Sequence, residues 1–254
     1  MTAPSFHGRT AFVTGATSGI GRATVRKLAA GGCRVVAVGR DVGSLDSLVA
    51  ETGPASCVPV VADLAEPDQV VGAVQAALSA LGRIDIVVND AGIGFRADVV
   101  TTDPDQWDLT FAVNVRAPFL VCREALPGML ERGSGVIVNV ASVGGLIGIP
   151  ARAAYGASRA ALISLTRSLC VDYAARGIRA NCVAPGTTET PWVDRIIEGA
   201  DEPASLRQQM AERQVVGRLG TADEIADTIV FLASDQASFL HGSTVVVDGG
   251  YSAR

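Results

Sequence analysis

The sequence holds only two histidines, His7 and His241, near opposite ends of the chain, so no His-based metal cluster is expected. Its five cysteines (Cys33, Cys57, Cys122, Cys170 and Cys182) are scattered, odd in number and include no Cys-x-x-Cys pair. That pattern suits buried, reduced thiols in a cytoplasmic protein rather than a disulfide framework. There is no basic run, and the net charge is −5, so neither nucleic acid nor an anionic membrane is an expected partner. The most apolar stretch, Val136 to Ile149, contains Asn139 and Ser142 and is too short to span a bilayer. The segment Met1–His7 has no basic region followed by an apolar core, so no signal peptide is expected. Internal repeats, low-complexity tracts and linkers are absent as well.

What the chain does have is apolar bulk: 48% of its 254 residues are hydrophobic and 19% charged, enough for a sizeable core. Short apolar, β-branched runs alternate with longer helical patterns. Strands are expected at Ala11–Thr14, Arg34–Val38, Cys57–Ala62, Ile84–Asn89, Gly135–Ala141, Ile178–Ala184 and Thr244–Val247. Helices are expected over about 20–31, 42–52, 67–81, 105–132, 152–176 and 222–233. Most of the runs are apolar on both faces, as parallel strands covered on each side must be. The pattern is that of an α/β fold: a doubly wound, seven-stranded parallel sheet with helices on both faces, in a single domain spanning 1–254. Periodicity is weakest over about 186–217, which reads as an insertion of short helices covering the carboxyl ends of the strands, where ligands bind in such sheets.

The residues with chemical potential fall at those strand ends. Gly15, Gly19 and Gly21 follow the first strand and open a helix. Glycines let a backbone approach a diphosphate, and a helix N-terminus attracts one, although an ordinary strand–turn–helix connection would look the same from the glycines alone. The second strand ends Gly39-Arg40-Asp41. An arginine here accommodates the 2′-phosphate of NADP, whereas Asp41 could bind a ribose, as in NAD enzymes, or cap the next helix. NADP(H) is therefore favoured, with NAD(H) the alternative. Asp63-Leu64 closes strand three and could meet an adenine or form a turn. Asn89 and Gly92 close strand four and suit close backbone contact with a cofactor. Asn114 sits inside a helical pattern, where a kink or a water site is expected. Ser142 ends strand five, and Tyr155 and Arg159 stand four residues apart on one helix face. A cation there would stabilise a phenolate, and a serine hydroxyl nearby could hydrogen-bond a substrate oxygen. A buried tyrosine beside a surface arginine is the plainer reading of that pair. Gly156-Ala-Ser-Arg-Ala160 approaches a nucleophile elbow but lacks its last glycine.

In this order and spacing, Thr14-Gly-Ala-Thr-Ser-Gly-Ile-Gly21, Asn89-Asp-Ala-Gly92, Asn114, Ser142, Tyr155, Pro185-Gly186 and Val247-Asp-Gly-Gly250 resemble the short-chain dehydrogenase/reductase family across essentially the whole chain. The resemblance implies a Rossmann-type domain, a nicotinamide cofactor, a small-molecule substrate and a homotetramer. It implies that Gly15, Thr17, Ser18, Gly19, Ile20, Gly21, Arg40, Asp63, Leu64, Asn89, Ala91, Gly92, Tyr155, Arg159, Pro185, Gly186 and Thr188 hold the cofactor. Tyr155 would be the general acid/base, Ser142 its orienting partner and Asn114 the holder of a relay water. Two residues depart from the family pattern: Asp90 stands for an asparagine, and Arg159 for the lysine that anchors the nicotinamide ribose, lowers the tyrosine pKa and feeds the proton relay. Arginine supplies charge and donors but cannot give up a proton at neutral pH. The expectation is a working, slowed enzyme with water relaying from the ribose hydroxyl; the alternative is a nucleotide-binding protein with weak or no catalysis. The C-terminal half is similar to the branch containing cytosolic-type 3-hydroxybutyrate and 2-keto-3-deoxy-L-fuconate dehydrogenases, which generally use NAD. In that branch Arg152, Arg195 and Arg213 would grip a substrate carboxylate, so a hydroxy or sugar acid is the implied substrate class.

Overall fold

Alternate residues of the apolar runs face opposite ways, and both faces find cover. In the computed structural model, which describes residues 4–253, Val13, Val35 and Ala37 belong to one core layer, and their neighbours Phe12, Val36 and Val38 belong to the other. Residues 1–3, the start of the segment searched for a leader, and residue 254 lie outside the described residues.

The first half alternates strictly: β1 (Thr10–Thr14), α1 (Gly19–Ala30), β2 (Arg34–Gly39), α2 (Val42–Thr52), β3 (Cys57–Val61), α3 (Pro67–Leu81) and β4 (Ile86–Asn89). Then come α4 (Pro104–Phe111), α5 (Ala117–Arg132), β5 (Gly135–Val140), α6 (Ala153–Tyr173) and β6 (Ile178–Pro185). The chain finishes with β7 (Thr188–Glu189), α7 (Pro191–Glu198), α8 (Pro203–Glu212), β8 (Gly220–Thr221), α9 (Ala222–Ala233) and β9 (Thr244–Val247). Among the described residues, seven strands form one parallel sheet in the order β3-β2-β1-β4-β5-β6-β9. The layer holding Leu28, Leu45 and Ile229 covers one face, and that holding Val74, Val121 and Leu169 covers the other. Strand order reverses between β1 and β4, which opens a crevice at their carboxyl ends.

All seven expected strands are present, with their ends moved by at most two residues. The fourth begins at Ile86 rather than Ile84, and the Asp85 carboxylate before it accepts the Thr10 N–H (2.9 Å). The helix expected as one piece over 105–132 is two. Between α4 and α5, residues Ala112–Arg116 form a π turn, in which the Ala117 N–H reaches back to the Ala112 carbonyl. Asn114 supplies the cause. Its Oδ1 accepts from Ile93 N (2.9 Å), and its Nδ2 donates to Ile93 O (2.8 Å) and to Ser158 Oγ (2.9 Å). The amide thus ties the loop after β4 to α6, and the helix bulges to let it. The weakly periodic segment holds α7 and α8 around a small core of Val193, Ile197, Met210 and Leu219. Cys33, Cys57, Cys122 and Cys182 are buried and every cysteine is unpaired; burial pushes the Cys33, Cys122 and Cys182 thiols up to about 12. No helix among the described residues is long and apolar enough to cross a membrane.

A buried polar relay sets the sheet's central strand ends. Asn89 Nδ2 donates to Asn139 Oδ1 (2.8 Å), and Asn139 Nδ2 donates to Thr166 Oγ1 (2.9 Å), linking β4, β5 and α6. Replacing Asn139 by alanine leaves Asn89 Nδ2 only the weak acceptor Cys122 Sγ (3.7 Å) and removes the donor to buried Thr166 Oγ1. Denaturant unfolding of Asn139→Ala is expected to show a loss of about 1–3 kcal/mol, and an unchanged midpoint would refute the relay's role.

Candidate active site

The turn from β1 into α1 is shaped by close backbone approach. Gly15 has φ +70°, and a Cβ there would lie 2.8 Å from Ala91 N; one on Gly21 would overlap the Gly15 carbonyl. α1 starts without a side-chain cap on Ser18 and with no acid in its first turn, so its first N–H groups and dipole are open to an anion. Above this turn lies a cavity of about 740 Å³ that runs along the carboxyl ends of the strands. Gly15, Thr17, Ser18, Gly19, Ile20, Arg40, Asp63, Leu64, Ala91, Gly92, Pro185, Gly186 and Thr188 line it, as do Ser142, Tyr155, Arg159, Arg152, Arg195 and Arg213.

Three expected residues stand back from the cavity wall. Gly21 lies behind the loop, with its N–H directed at the Asp90 carboxyl. Asn89 is buried and its amide turns sideways to Asn139 and Cys122, so only its backbone is placed for a ligand. The Asn114 amide is fully used on Ile93 and Ser158. A relay water would have to be held by its backbone, where the π turn disturbs the ordinary helical bonding.

At the β2 end, Asp41 caps α2 by accepting from Ser44 N (2.7 Å), and hydrogen bonding from the Ser44 side chain first, then its N–H, holds the carboxyl below the usual range. The Arg40 side chain is 71% exposed and reaches Asp63 at 3.7 Å. Gly39 packs on Thr17 so closely that a Cβ would overlap its methyl. Asp63 forms the turn it was read for, accepting from Ala65 N (3.0 Å), and still lines the cavity.

At the β5 end, Ser142 Oγ accepts from Gly144 N (3.1 Å), which leaves its O–H free to donate outward. A Cβ built on Gly144 would lie 3.5 Å from that oxygen and 3.6 Å from Tyr155 Cε1, so serine and tyrosine flank one spot. Arg159 is no surface arginine: it is 5% exposed. Its Nη1 donates to Val140 O (3.0 Å), and its Cζ lies over the Tyr155 ring, 5.1 Å from the centroid. The stack continues outward. Tyr155 packs on Trp192 with centroids 5.7 Å apart, and Arg152 Cζ lies 5.7 Å from the Trp192 centroid. Burial pulls the Arg152 pKa below its ordinary value, and Arg96 and Arg213 nearby pull it further, against the opposing effect of Tyr155. The outer end of the cavity is thus crowded with positive charge.

Sequence reasoning gave no role to Trp192, the aromatic seat for Tyr155 and Arg152, or to Arg96. Trp192 had a usable signal, an aromatic in the first turn of a helix laid over the strand ends; Arg96 lies in a loop and had none.

The family model described as enoyl-(acyl carrier protein) reductase matches residues 15–252. The 2-(R)-hydroxypropyl-CoM dehydrogenase of Xanthobacter autotrophicus is 42% identical over 96% of this chain and 99% of its own length. The 2-keto-3-deoxy-L-fuconate dehydrogenase of Xanthomonas campestris is 37% identical over 96% of this chain and 80% of its own. Among solved structures, levodione reductase superposes with a TM-score of 0.93 at 35% identity, over 98% of this chain and 99% of that one.

Arg159 Nη2 lies where a Cβ on Gly92 would go. Gly92→Ala must therefore displace the guanidinium and its bond to Val140, at a cost of about 1–3 kcal/mol. In an Arg159→Ala background the same change is expected to cost clearly less. Equal costs in a double-mutant unfolding cycle would show that the two residues are not in contact.

Proposed function

The chain belongs to the short-chain dehydrogenase/reductase family, and from that premise we propose an NAD(P)-dependent oxidoreductase that interconverts a secondary alcohol and a ketone on a small anionic substrate, a hydroxy or sugar acid. The observation that carries this reading is the convergence of Ser142, Tyr155 and Arg159 on one cavity with the Gly15–Gly21 turn. The glycine cradle and the uncapped α1 terminus fit a dinucleotide diphosphate. When bound, the nicotinamide supplies or accepts the hydride. NADP(H) is the favoured form: Arg40 is exposed and could exchange its 3.7 Å contact with Asp63 for a 2′-phosphate, Gly39 bears no carboxylate, and Asp41 caps α2.

The protein's own groups handle the proton and the orientation. Tyr155 passes a proton between its phenolic oxygen and the substrate oxygen, as general acid toward a ketone and general base toward an alcohol. Ser142 donates its free O–H to the same substrate oxygen and fixes the face presented. Arg159, a permanent cation, lies over the Tyr155 ring and orients it without ever carrying the mobile proton. The relay runs through water at the Asn114 backbone. Arg152, Arg195 and Arg213 receive the anionic end of the substrate; the crowding of positive charge at Arg152 is relieved when an anion arrives. Residues 186–217 close over it as part of a single domain, and the exposed Phe119, Val171 and Phe239 are apolar surface suited to assembly as a homotetramer.

Titration with NADPH and NADH, followed by a panel of hydroxy acids, sugar acids and neutral ketones, tests the reading. Nucleotide binding and turnover of an anionic substrate are expected, with Tyr155→Phe reducing kcat by about 10²-fold or more while binding nucleotide normally. Nucleotide binding without turnover on any substrate would favour the non-catalytic alternative. Arg40→Asp is expected to weaken NADPH by about tenfold or more and to leave NADH unharmed; an unchanged NADPH/NADH ratio would remove Arg40 from the discrimination.

A further inference from the structure

Asp90 lines the cavity, and its carboxylate is turned against the glycine turn from β1 into α1. Its Oδ2 lies 2.8 Å from where a Cβ on Gly21 would be and 3.1 Å from one on Gly15, the two glycines that form the turn. A negative charge at the floor of a diphosphate cradle opposes the ligand the cradle otherwise suits. Two groups answer it: the Gly21 N–H on α1, and the Arg159 guanidinium on α6. The backbone on either side is fixed, since the N–H groups of Asp90 and Ala91 both donate to Thr14 Oγ1 (3.2 Å each).

We propose that Asp90 is a proton-linked positioning residue of the nucleotide site: it carries its charge, balanced by Arg159, when the cradle is empty, and takes up a proton when a dinucleotide diphosphate binds. The inference rests on the dinucleotide reading above. Burial pushes the Asp90 carboxyl up to about 7, against the opposing pull of Arg159 and of the Gly21 N–H. An anion arriving beside it pushes the carboxyl further in the same direction. The sign follows. At pH well below 7 the group is already neutral and binding is unhindered. As pH rises through about 7, binding must draw a proton from solution and affinity falls. Arg159 sets where that fall begins, so the two departures from the family pattern act as one unit.

The test is the dissociation constant of NADP⁺ and of NAD⁺, by calorimetry, between about pH 6 and pH 8.5 in pairs of buffers with different ionisation enthalpies. The parent is expected to lose about tenfold in affinity for either nucleotide over that range and to take up a fraction of a proton on binding. Asp90→Asn, nearly identical in shape, is expected to bind with a pH dependence flatter by that factor and without the Asp90 proton. NAD⁺ lacks the 2′-phosphate, and the parent-to-variant difference cancels that group's own titration for NADP⁺. In Arg159→Met the fall should begin at higher pH, which keeps the inference testable should Asp90→Asn fold poorly. Nucleotide binding whose pH profile is the same in parent and Asp90→Asn overturns this inference alone. Failure of both nucleotides to bind at any pH overturns it together with the dinucleotide reading.

Discussion

The bond from Arg159 Nη1 to the Val140 carbonyl fastens a buried cation at the one place where three elements end together. β5 supplies the carbonyl, α6 the arginine, and the loop after β4 the glycine that makes room. Burying a guanidinium is costly unless its donors and charge are answered. Here the answers are a main-chain oxygen, the face of Tyr155 at 5.1 Å and the field of Asp90. They are incomplete, since the Nε group is enclosed without a partner. A buried cation with one donor unspent thus lies over the Tyr155 ring.

From that point the cavity divides by charge. Inward lie the glycine turn, the α1 terminus and the Asp90 carboxyl. Outward runs the stack of Tyr155, Trp192 and Arg152, ending among arginines. On the proposed function, a nucleotide and the anionic end of a substrate would reach Tyr155 from opposite sides. The π turn at Asn114 belongs to this arrangement, because its amide holds the loop carrying Ile93 against α6 beneath the site.

Much of this was legible in the sequence because periodicity reports burial directly. The two-sided apolar runs marked the seven strands, and the glycines, Ser142 and Tyr155 marked the carboxyl edge on which the cavity opens. Asn114 was legible as a misfit in a helix, though not as the tie between Ile93 and Ser158. The cap at Asp41 is present, and it depends on a hydrogen bond three residues away. Least legible were pairings across the fold. Gly92 under Arg159, Asp90 between Gly15 and Gly21, and Trp192 on Tyr155 join residues from separate segments, and no local pattern connects them. Arg159 read as a lone handicap in the sequence. In the fold it is surrounded by residues shaped to it.

The most direct measurement is the turnover of Arg159→Lys beside the parent on the same substrate at the same pH. A lysine is a compact donor on a flexible stem and cannot both bond Val140 and spread over the Tyr155 ring. If the site is built around the guanidinium, the lysine variant should turn over more slowly, by about fivefold or more. A lysine variant faster than the parent would contradict the account and show that arginine merely encumbers a site made for an amine.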